Sequence, residues 1–318
     1  MNSSIHQGQV YRKNLGRYLV RNESGDCLCS VTGNMKKDLV FSEADASSVA
    51  KRVVSVGKIK VSDPVAIADF VEFEDFGNGT GLIVKVLPRK SKLSRKDPGP
   101  RPVEQVVAAN IDQVVIFFAQ SEETKNWAML DWLLAEVEMT RLPALVMMTK
   151  TDLVGDDSII ADVNYYRSMG YTVIPTSTVR KTGIDEAQAA LKDKTSVFIG
   201  KSGVGKSSLL NALQPGLGLK VAEISRHIQE GRHTTTHLEM FDLDFGGKII
   251  DTPGWRIISF WNADNLSFDW CYRDFRPFLG KCRFNNCTHS VEPGCAIKNA
   301  VETGEILERR HQSYLKLI

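Results

Sequence analysis

The chain has no uninterrupted apolar run of about 18 residues, so an ordinary membrane-spanning helix is not expected. Its first residues, MNSSIHQGQVYRKNLG, lack the apolar core of a secretion signal, and a cytoplasmic protein with no membrane contact is the expectation. Strong charge of either sign is also missing. With 40 Lys and Arg against 38 Asp and Glu, the net charge is +2, so affinity for nucleic acid has to be sought in local patches. No internal repeat at a solenoid period is present. Cysteine is sparse, six in 318 residues, and four of the six (Cys271, Cys282, Cys287 and Cys295) crowd one short region. In a reducing compartment such clustering suggests a metal rather than disulfides. Cys27 and Cys29 lie two apart on an expected strand with no second pair, and are assigned to packing.

A chain of 318 residues, 42% hydrophobic and 25% charged, has the make-up of a globular protein of about two or three domains. From about residue 8 to 88 it reads as short β segments. GRYLVRN, CLCSVTG, PVAIADFVEFE and TGLIVKVLP alternate or are β-rich, and Asn, Ser, Asp and Gly separate them. Such strands fit a small barrel of the OB type, and periodicity alone also allows an SH3-like barrel. Pro88 to Pro102 follows, with Arg89, Lys90, Lys92, Arg95, Lys96 and Arg101 against a single Asp97. By composition it is a basic linker, open to RNA or simply solvated.

Beyond Val106 the pattern changes. DQVVIFFAQ is a buried strand, WAMLDWLLAEVEMT has helical spacing and PALVMMTK is a second buried strand. IIADVNYYRSMG is a helix stopped by Gly170, YTVIPTS a strand, IDEAQAAL a helix and TSVFIG a strand. Alternating strands and helices predict a parallel α/β sheet. After about Phe260 the chain is aromatic, Cys-rich and loop-like, and it ends in the helical ETGEILERRHQSYLKLI.

Gly200-Lys201-Ser202-Gly203-Val204-Gly205-Lys206-Ser207 fits G-x-x-x-x-G-K-[ST] in the context that motif requires, after a strand and before a helix. Its glycines let backbone N–H groups face phosphates, and the helix N-terminus, with Ser207 and Ser208, favours an anion. Lys206 reaches the β- and γ-phosphates and Ser207 can ligate Mg²⁺. Downstream, Asp251-Thr252-Pro253-Gly254 ends a strand. Asp251 there can hold the Mg²⁺ shell and the Gly254 N–H can sense a γ-phosphate. Between them, GRHTTTHLEM offers Thr235 to complete the magnesium sphere, with Thr234 and Thr236 as alternatives.

Thr149-Lys150-Thr151-Asp152 follows a strand. Asp152 can accept from guanine N1–H and the exocyclic amine, which adenine cannot match, and the Lys150 stem can lie over the base. Pro175-Thr176-Ser177-Thr178 can supply an N–H to guanine O6, and Ser177 is the residue assigned. The residue after Asp-Thr-Pro-Gly is Trp255, whose indole cannot take a proton from the attacking water. Slow intrinsic hydrolysis is expected. His233 is the alternative water-orienting group, or else an RNA-facing surface residue. Cys282-x₄-Cys287-x-His289-x₅-Cys295 is a Cys₃His set for one structural Zn²⁺, although the spacing is not that of a C-x₂-C knuckle. Cys271 is left over as a buried thiol. Arg309, Arg310 and Lys316 of the last helix are candidates for phosphate contacts or for its wet face.

The order TKTD, TST, GKSGVGKS, GRHTTT, DTPGW resembles the circularly permuted GTPases, in which the base-reading half precedes the phosphate loop. With the N-terminal β domain, AANIDQVVI at 108–116 and the Cys/His cluster, nearly the whole chain resembles the ribosome-small-subunit-dependent GTPase family (RsgA, YjeQ, YloQ). The resemblance implies a bacterial GTPase acting in late maturation of the 30S subunit and stimulated by it. It also implies GTP/GDP, Mg²⁺ and one Zn²⁺ as ligands, with 16S rRNA as the contact of a monomer. The expected division is an OB-type barrel and basic linker over 1–103, a permuted GTPase domain over 104–260 and a zinc-binding helical and loop domain over 261–318. Two departures stand out. The family's usual loop is Asn-Lys-x-Asp, whereas this chain has Thr149. VSDPV at 61–65 stands where the family tends to show Gly-Asp. The competing readings are a regulatory GTP-binding module with negligible hydrolysis and a P-loop ATPase or kinase with relaxed base choice.

Overall fold

The structure is a computed structural model that describes residues 4–14, 16–32, 35, 39–41, 53–56, 63–96, 103–121, 126–218, 238–251 and 268–318. The chain divides into two compact units, residues 1–111 with 226–241, and residues 112–225 with 242–318.

The first unit is built on β1 (Ile5–Asn14), β2 (Arg17–Asn22), β3 (Gly25–Val31), β6 (Phe70–Asp75) and β7 (Thr80–Val86). Their order β1-β2-β3-β7-β6 closes on itself, because β6 also pairs with β1. One parallel contact, β3 with β7, interrupts otherwise antiparallel pairing. This is the five-stranded OB-type barrel. Alternation decides which side chains fill it: Tyr18, Val20, Cys27, Cys29, Val71, Phe73 and Ile83 are buried, and their sequence neighbours are not. The Cys27 and Cys29 sulfurs meet inside, 3.6 Å apart. Short strands β4 (Leu39–Phe41) and β5 (Val53–Val56) pair with each other.

Part of the stretch that composition marks as a linker is ordered β structure. β8 (Lys92–Lys96) pairs antiparallel with β9 (Glu104–Ala109). Arg89 is not a free phosphate contact either. Asp69 is fully buried, and Arg89 holds it with two hydrogen bonds of 2.7 and 2.6 Å. A buried carboxylate needs such a partner, and composition alone does not tell a bound arginine from a solvated one. Residues 97–102 lie outside the described residues. Strand β14 (Leu238–Asp242) pairs with β1 through Arg12 and Glu239.

The second unit carries a parallel sheet of β10 (Gln113–Ala119), β11 (Ala144–Thr149), β12 (Thr172–Pro175), β13 (Thr195–Ile199) and β15 (Lys248–Asp251), in the order β12-β11-β10-β13-β15. The connecting helices are α1 (Trp127–Thr140), α2 (Asp156–Ser168), α3 (Ile184–Leu191) and α4 (Lys206–Leu213). The strands are continuous apolar runs because both faces are covered. The chain steps outward from β10 to β12, then returns to the far side of β10 as β13. That reversal creates a crevice at the carboxyl ends of β10 and β13, the place where open α/β sheets bind ligands.

The last segment contains α5 (Ala296–Glu302) and α6 (Glu308–Leu315). Its apolar core of Cys271, Tyr272, Phe275, Ile297, Ile306 and Tyr314 packs with Ala135 of α1. Arg310, a candidate phosphate contact by sequence, is buried instead. It pairs with Asp131 of α1 at 2.7 Å and with Asp274 at 2.8 Å, and Tyr166 of α2 donates to the same Asp131 oxygen at 2.6 Å. Arg309 lies over the Trp127 ring at 3.9 Å and bonds Asp162. Two charged residues on a polar helix face read as wet from sequence, because their carboxylate partners lie far away in the chain. Removing the cation leaves two buried carboxylates without a counter-charge. Arg310→Met is therefore expected to cost about 3–5 kcal/mol in chemical unfolding, far more than a surface arginine would.

Candidate nucleotide site and metal centre

The crevice gathers the motifs onto one edge of the sheet. β11 ends at Thr149, β12 at Pro175, β13 at Ile199 and β15 at Asp251, so TKTD, TST, the phosphate loop and the Asp251 carboxylate all start from parallel strand ends.

The phosphate loop bends where only glycine fits. Gly200 sits at φ +151, and a Cβ there would lie 2.9 Å from the Phe117 carbonyl oxygen. Val204 is buried under the loop, and Gly205 caps α4. Lys201, Ser202, Gly203 and Ser208 are exposed on its open side, with Ser207 half-buried. Lys206 folds back across the loop, and its ammonium donates to the Gly200 carbonyl at 2.8 Å. Burial holds its pKa below the usual lysine value, and the Asp251 charge opposes that shift. The Asp251 charge, at the end of β15, is thus close enough to act on the Lys206 ammonium.

The loops that follow β11 and β12 are locked to each other. The Ser177 hydroxyl donates to Asp152 Oδ1 at 2.6 Å, and in turn accepts from the Arg180 N–H at 3.0 Å. The Ser177 N–H is committed to the Thr182 carbonyl, so the hydroxyl is what Ser177 brings to the crevice. Thr151, buried, donates its hydroxyl to the Thr176 carbonyl at 3.1 Å. Gly183 permits the turn behind this loop. Its φ is +71, and a Cβ would come within 2.0 Å of the Pro175 carbonyl oxygen. Lys150 stands in a left-handed conformation at φ 56, half-buried at the loop entrance. Thr149 is buried, and its hydroxyl donates to the Val204 carbonyl of the phosphate loop. Arg180 and Thr182 escaped the sequence reading, since nothing in their spacing marks the turn that brings them back. His233, Thr234, Thr235, Thr236, Thr252, Pro253, Gly254 and Trp255 lie outside the described residues.

The four predicted metal ligands converge. One donor atom from each of Cys282, Cys287, His289 and Cys295 lies within 4.8 Å of the others. His289 Nδ1 is 3.5 Å from the Cys282 sulfur and 3.4 Å from the Cys295 sulfur, and those two sulfurs are 3.9 Å apart. A tetrahedral Zn²⁺ with sulfur and nitrogen ligands sets its donors about 3.5–3.8 Å apart, so the set fits the ion. Asp269, which spacing gave no reason to select, faces His289 Nε2 at 3.2 Å. A carboxylate on that nitrogen holds the ring with Nδ1 free to ligate. Cys271 is a buried thiol with its pKa pushed up to about 12, first by burial.

A phosphate loop at a switch point, with the base-side loops earlier in the chain, defines a circularly permuted P-loop GTPase. Residues 86–261 match the family profile described as RsgA GTPase. The small ribosomal subunit biogenesis GTPase RsgA of Gemmatimonas aurantiaca is 40% identical over 260 residues, 82% of this chain and 83% of that protein. That of Caldanaerobacter subterraneus is 35% identical over 312 residues, 98% and 94% of the two chains. Among solved structures, YjeQ from Thermotoga maritima matches with a TM-score of 0.69 at 28% identity, covering 99% of this chain and 97% of that one. YloQ, described as a circularly permuted GTPase, matches with a TM-score of 0.66 at 27% identity, covering 99% and 94%. The chain belongs to the RsgA GTPase family.

The Ser177–Asp152 contact gives a test. Ser177→Ala removes a hydrogen bond to a carboxylate while leaving the backbone bridge to Thr182 in place. Guanine-nucleotide affinity is expected to fall about tenfold, measured by displacement of a fluorescent GDP analogue.

Proposed function

We propose that this GTPase acts in late maturation of the 30S ribosomal subunit, in the bacterial cytoplasm and as a monomer; its relatives are named small ribosomal subunit biogenesis GTPases. The observation that carries the reading is the convergence of TKTD, TST and the phosphate loop on one crevice, with Asp152 held by Ser177. In this reading Asp152 accepts from guanine N1–H and the 2-amino group, and the Lys150 stem covers the base. Backbone N–H groups from Gly200 to Gly205 and the Lys206 ammonium take up the phosphate charge, which is where most rate enhancement in phosphoryl transfer originates. Magnesium, when bound, would supply neutralisation of phosphate charge; Ser207, Thr235 and the shell around Asp251 would hold it. Gly254 responds to the γ-phosphate, and His233 orients the attacking water, because Trp255 cannot.

The Cys282, Cys287, His289 and Cys295 set holds one structural zinc in this account, with four ligands and no position open to water. The functional division is a barrel with its basic segment, a GTPase domain and a zinc module. The barrel, the basic segment and the zinc module are each read as elements that contact 16S rRNA. GTP binding, sensed through Thr235 and Asp251, sets affinity for the subunit.

Single-turnover phosphate release with and without purified 30S subunits tests the reading. Hydrolysis is expected to be slow alone and at least about tenfold faster with the subunit. An unchanged rate would instead favour a regulatory nucleotide-binding module. The zinc assignment is checked by elemental analysis. About one zinc per chain is expected, lost in Cys295→Ser together with a lower melting temperature.

A further inference from the structure

The loop that carries His289 is held by the last helix of the chain. His311 of α6 is buried, and its Nε2 lies 2.7 Å from the His289 carbonyl oxygen. A carbonyl can only accept, so His311 carries its proton on Nε2 and donates it there. On the next turn of α6, Tyr314 donates its hydroxyl to the Thr288 carbonyl at 3.1 Å. Both polar groups are spent on backbone oxygens, so His311 and Tyr314 stand outside the donor set of Cys282, Cys287, His289 and Cys295.

The Thr288 and His289 carbonyls belong to the peptides on either side of the His289 Cα. Each peptide is planar, so fixing its carbonyl fixes its plane. With both planes fixed, φ and ψ of His289 are fixed, and so is the direction in which its imidazole leaves the backbone. The conformation held is uncommon for a residue with a side chain, at φ 63. Such a conformation persists when the surroundings enforce it. Asp269 sets the ring from its far end, 3.2 Å from Nε2. Nδ1 then stands 3.5 Å from the Cys282 sulfur and 3.4 Å from the Cys295 sulfur. The place of α6 is secured by other groups. Arg310 pairs with Asp131 of α1 and with Asp274, and Arg309 pairs with Asp162 of α2.

We infer that His311 and Tyr314 are positioning residues of the metal centre. Through them α6 presets His289 for a divalent cation that takes thiolate and imidazole ligands, and metal affinity is linked to the docking of this helix. A ligand aimed in advance binds without the cost of ordering its loop. By reciprocity, the bound cation strengthens the hold on α6. The inference rests on the zinc assignment above.

The test is metal withdrawal from the full chain, loaded with Zn²⁺ or with Co²⁺, by a chelating indicator. It is run on the unaltered protein, His311→Phe, His311→Gln and Tyr314→Phe, and the d–d absorption of the Co²⁺ forms is recorded. His311→Phe keeps a flat ring and loses the donor. It is expected to lower both affinities about tenfold and to shift the Co²⁺ bands, because His289 no longer meets the ion in a fixed orientation. Tyr314→Phe, which removes one hydroxyl, lowers both about fivefold. His311→Gln returns an N–H and is expected to bind within about threefold of the unaltered protein. Amide exchange across Glu308–Leu315 is expected to be slower with metal than after its withdrawal, and the difference is smaller in His311→Phe. A folded His311→Phe with unchanged affinity and unchanged Co²⁺ bands would overturn the inference. So would a His311→Gln that binds as weakly as His311→Phe. If His311→Phe does not fold, Tyr314→Phe decides, and unchanged affinity there overturns the inference. A chain that takes up neither ion overturns the zinc assignment itself, and the inference with it.

Discussion

The hydrogen bond from Thr149 to the Val204 carbonyl joins segments 55 residues apart and ties the two halves of the nucleotide site together. It is possible because β11 and β13 flank β10 in one parallel sheet, so their carboxyl ends open on the same crevice. Chain order has no part in this constraint. What matters is which strand ends are neighbours, and a permuted chain with the same neighbours builds the same crevice. The base-side loops are then held by short contacts, Ser177 on Asp152 and Thr151 on the Thr176 carbonyl, that need only the β11–β12 pairing.

A second network anchors the C-terminal segment. Arg310 is fully buried between Asp131 and Asp274, with Tyr166 on the same Asp131 oxygen. A buried charge is tolerated only when paired, and here the pairing spans α1, α2 and α6. The segment that carries the Cys/His cluster thereby joins the core of the same unit as the crevice at the strand ends. α2 begins four residues after Asp152, so one helix links the loop after β11 to the network that holds the last helix.

Much of this was legible in the sequence because it is local. Helical spacing marked Trp127–Thr140 and Ile184–Leu191, and the run TSVFI marked β13. The phosphate loop and the Cys/His set stand in contiguous motifs, and the structure brings the four metal donors together. What escaped depends on partners far along the chain. β8 looked like linker because its basic residues hide its pairing with β9. Arg89 and Arg310 looked solvated because their carboxylates, Asp69, Asp131 and Asp274, come from distant segments. Asp269 carries no spacing signal toward His289, 20 residues away. The role of Thr149 could not be read either. Its acceptor, the Val204 carbonyl, lies 55 residues along the chain.

The central claim is that a base-reading half, centred on Asp152, was written ahead of the phosphate loop and still reads guanine. Binding of GDP and of xanthosine diphosphate to Asp152→Asn tests it most directly. Xanthine presents an acceptor where guanine has its amine, so an amide at position 152 should reverse the preference. The account predicts that GDP affinity falls and xanthosine diphosphate becomes the better ligand. Undiminished GDP binding by Asp152→Asn would contradict it.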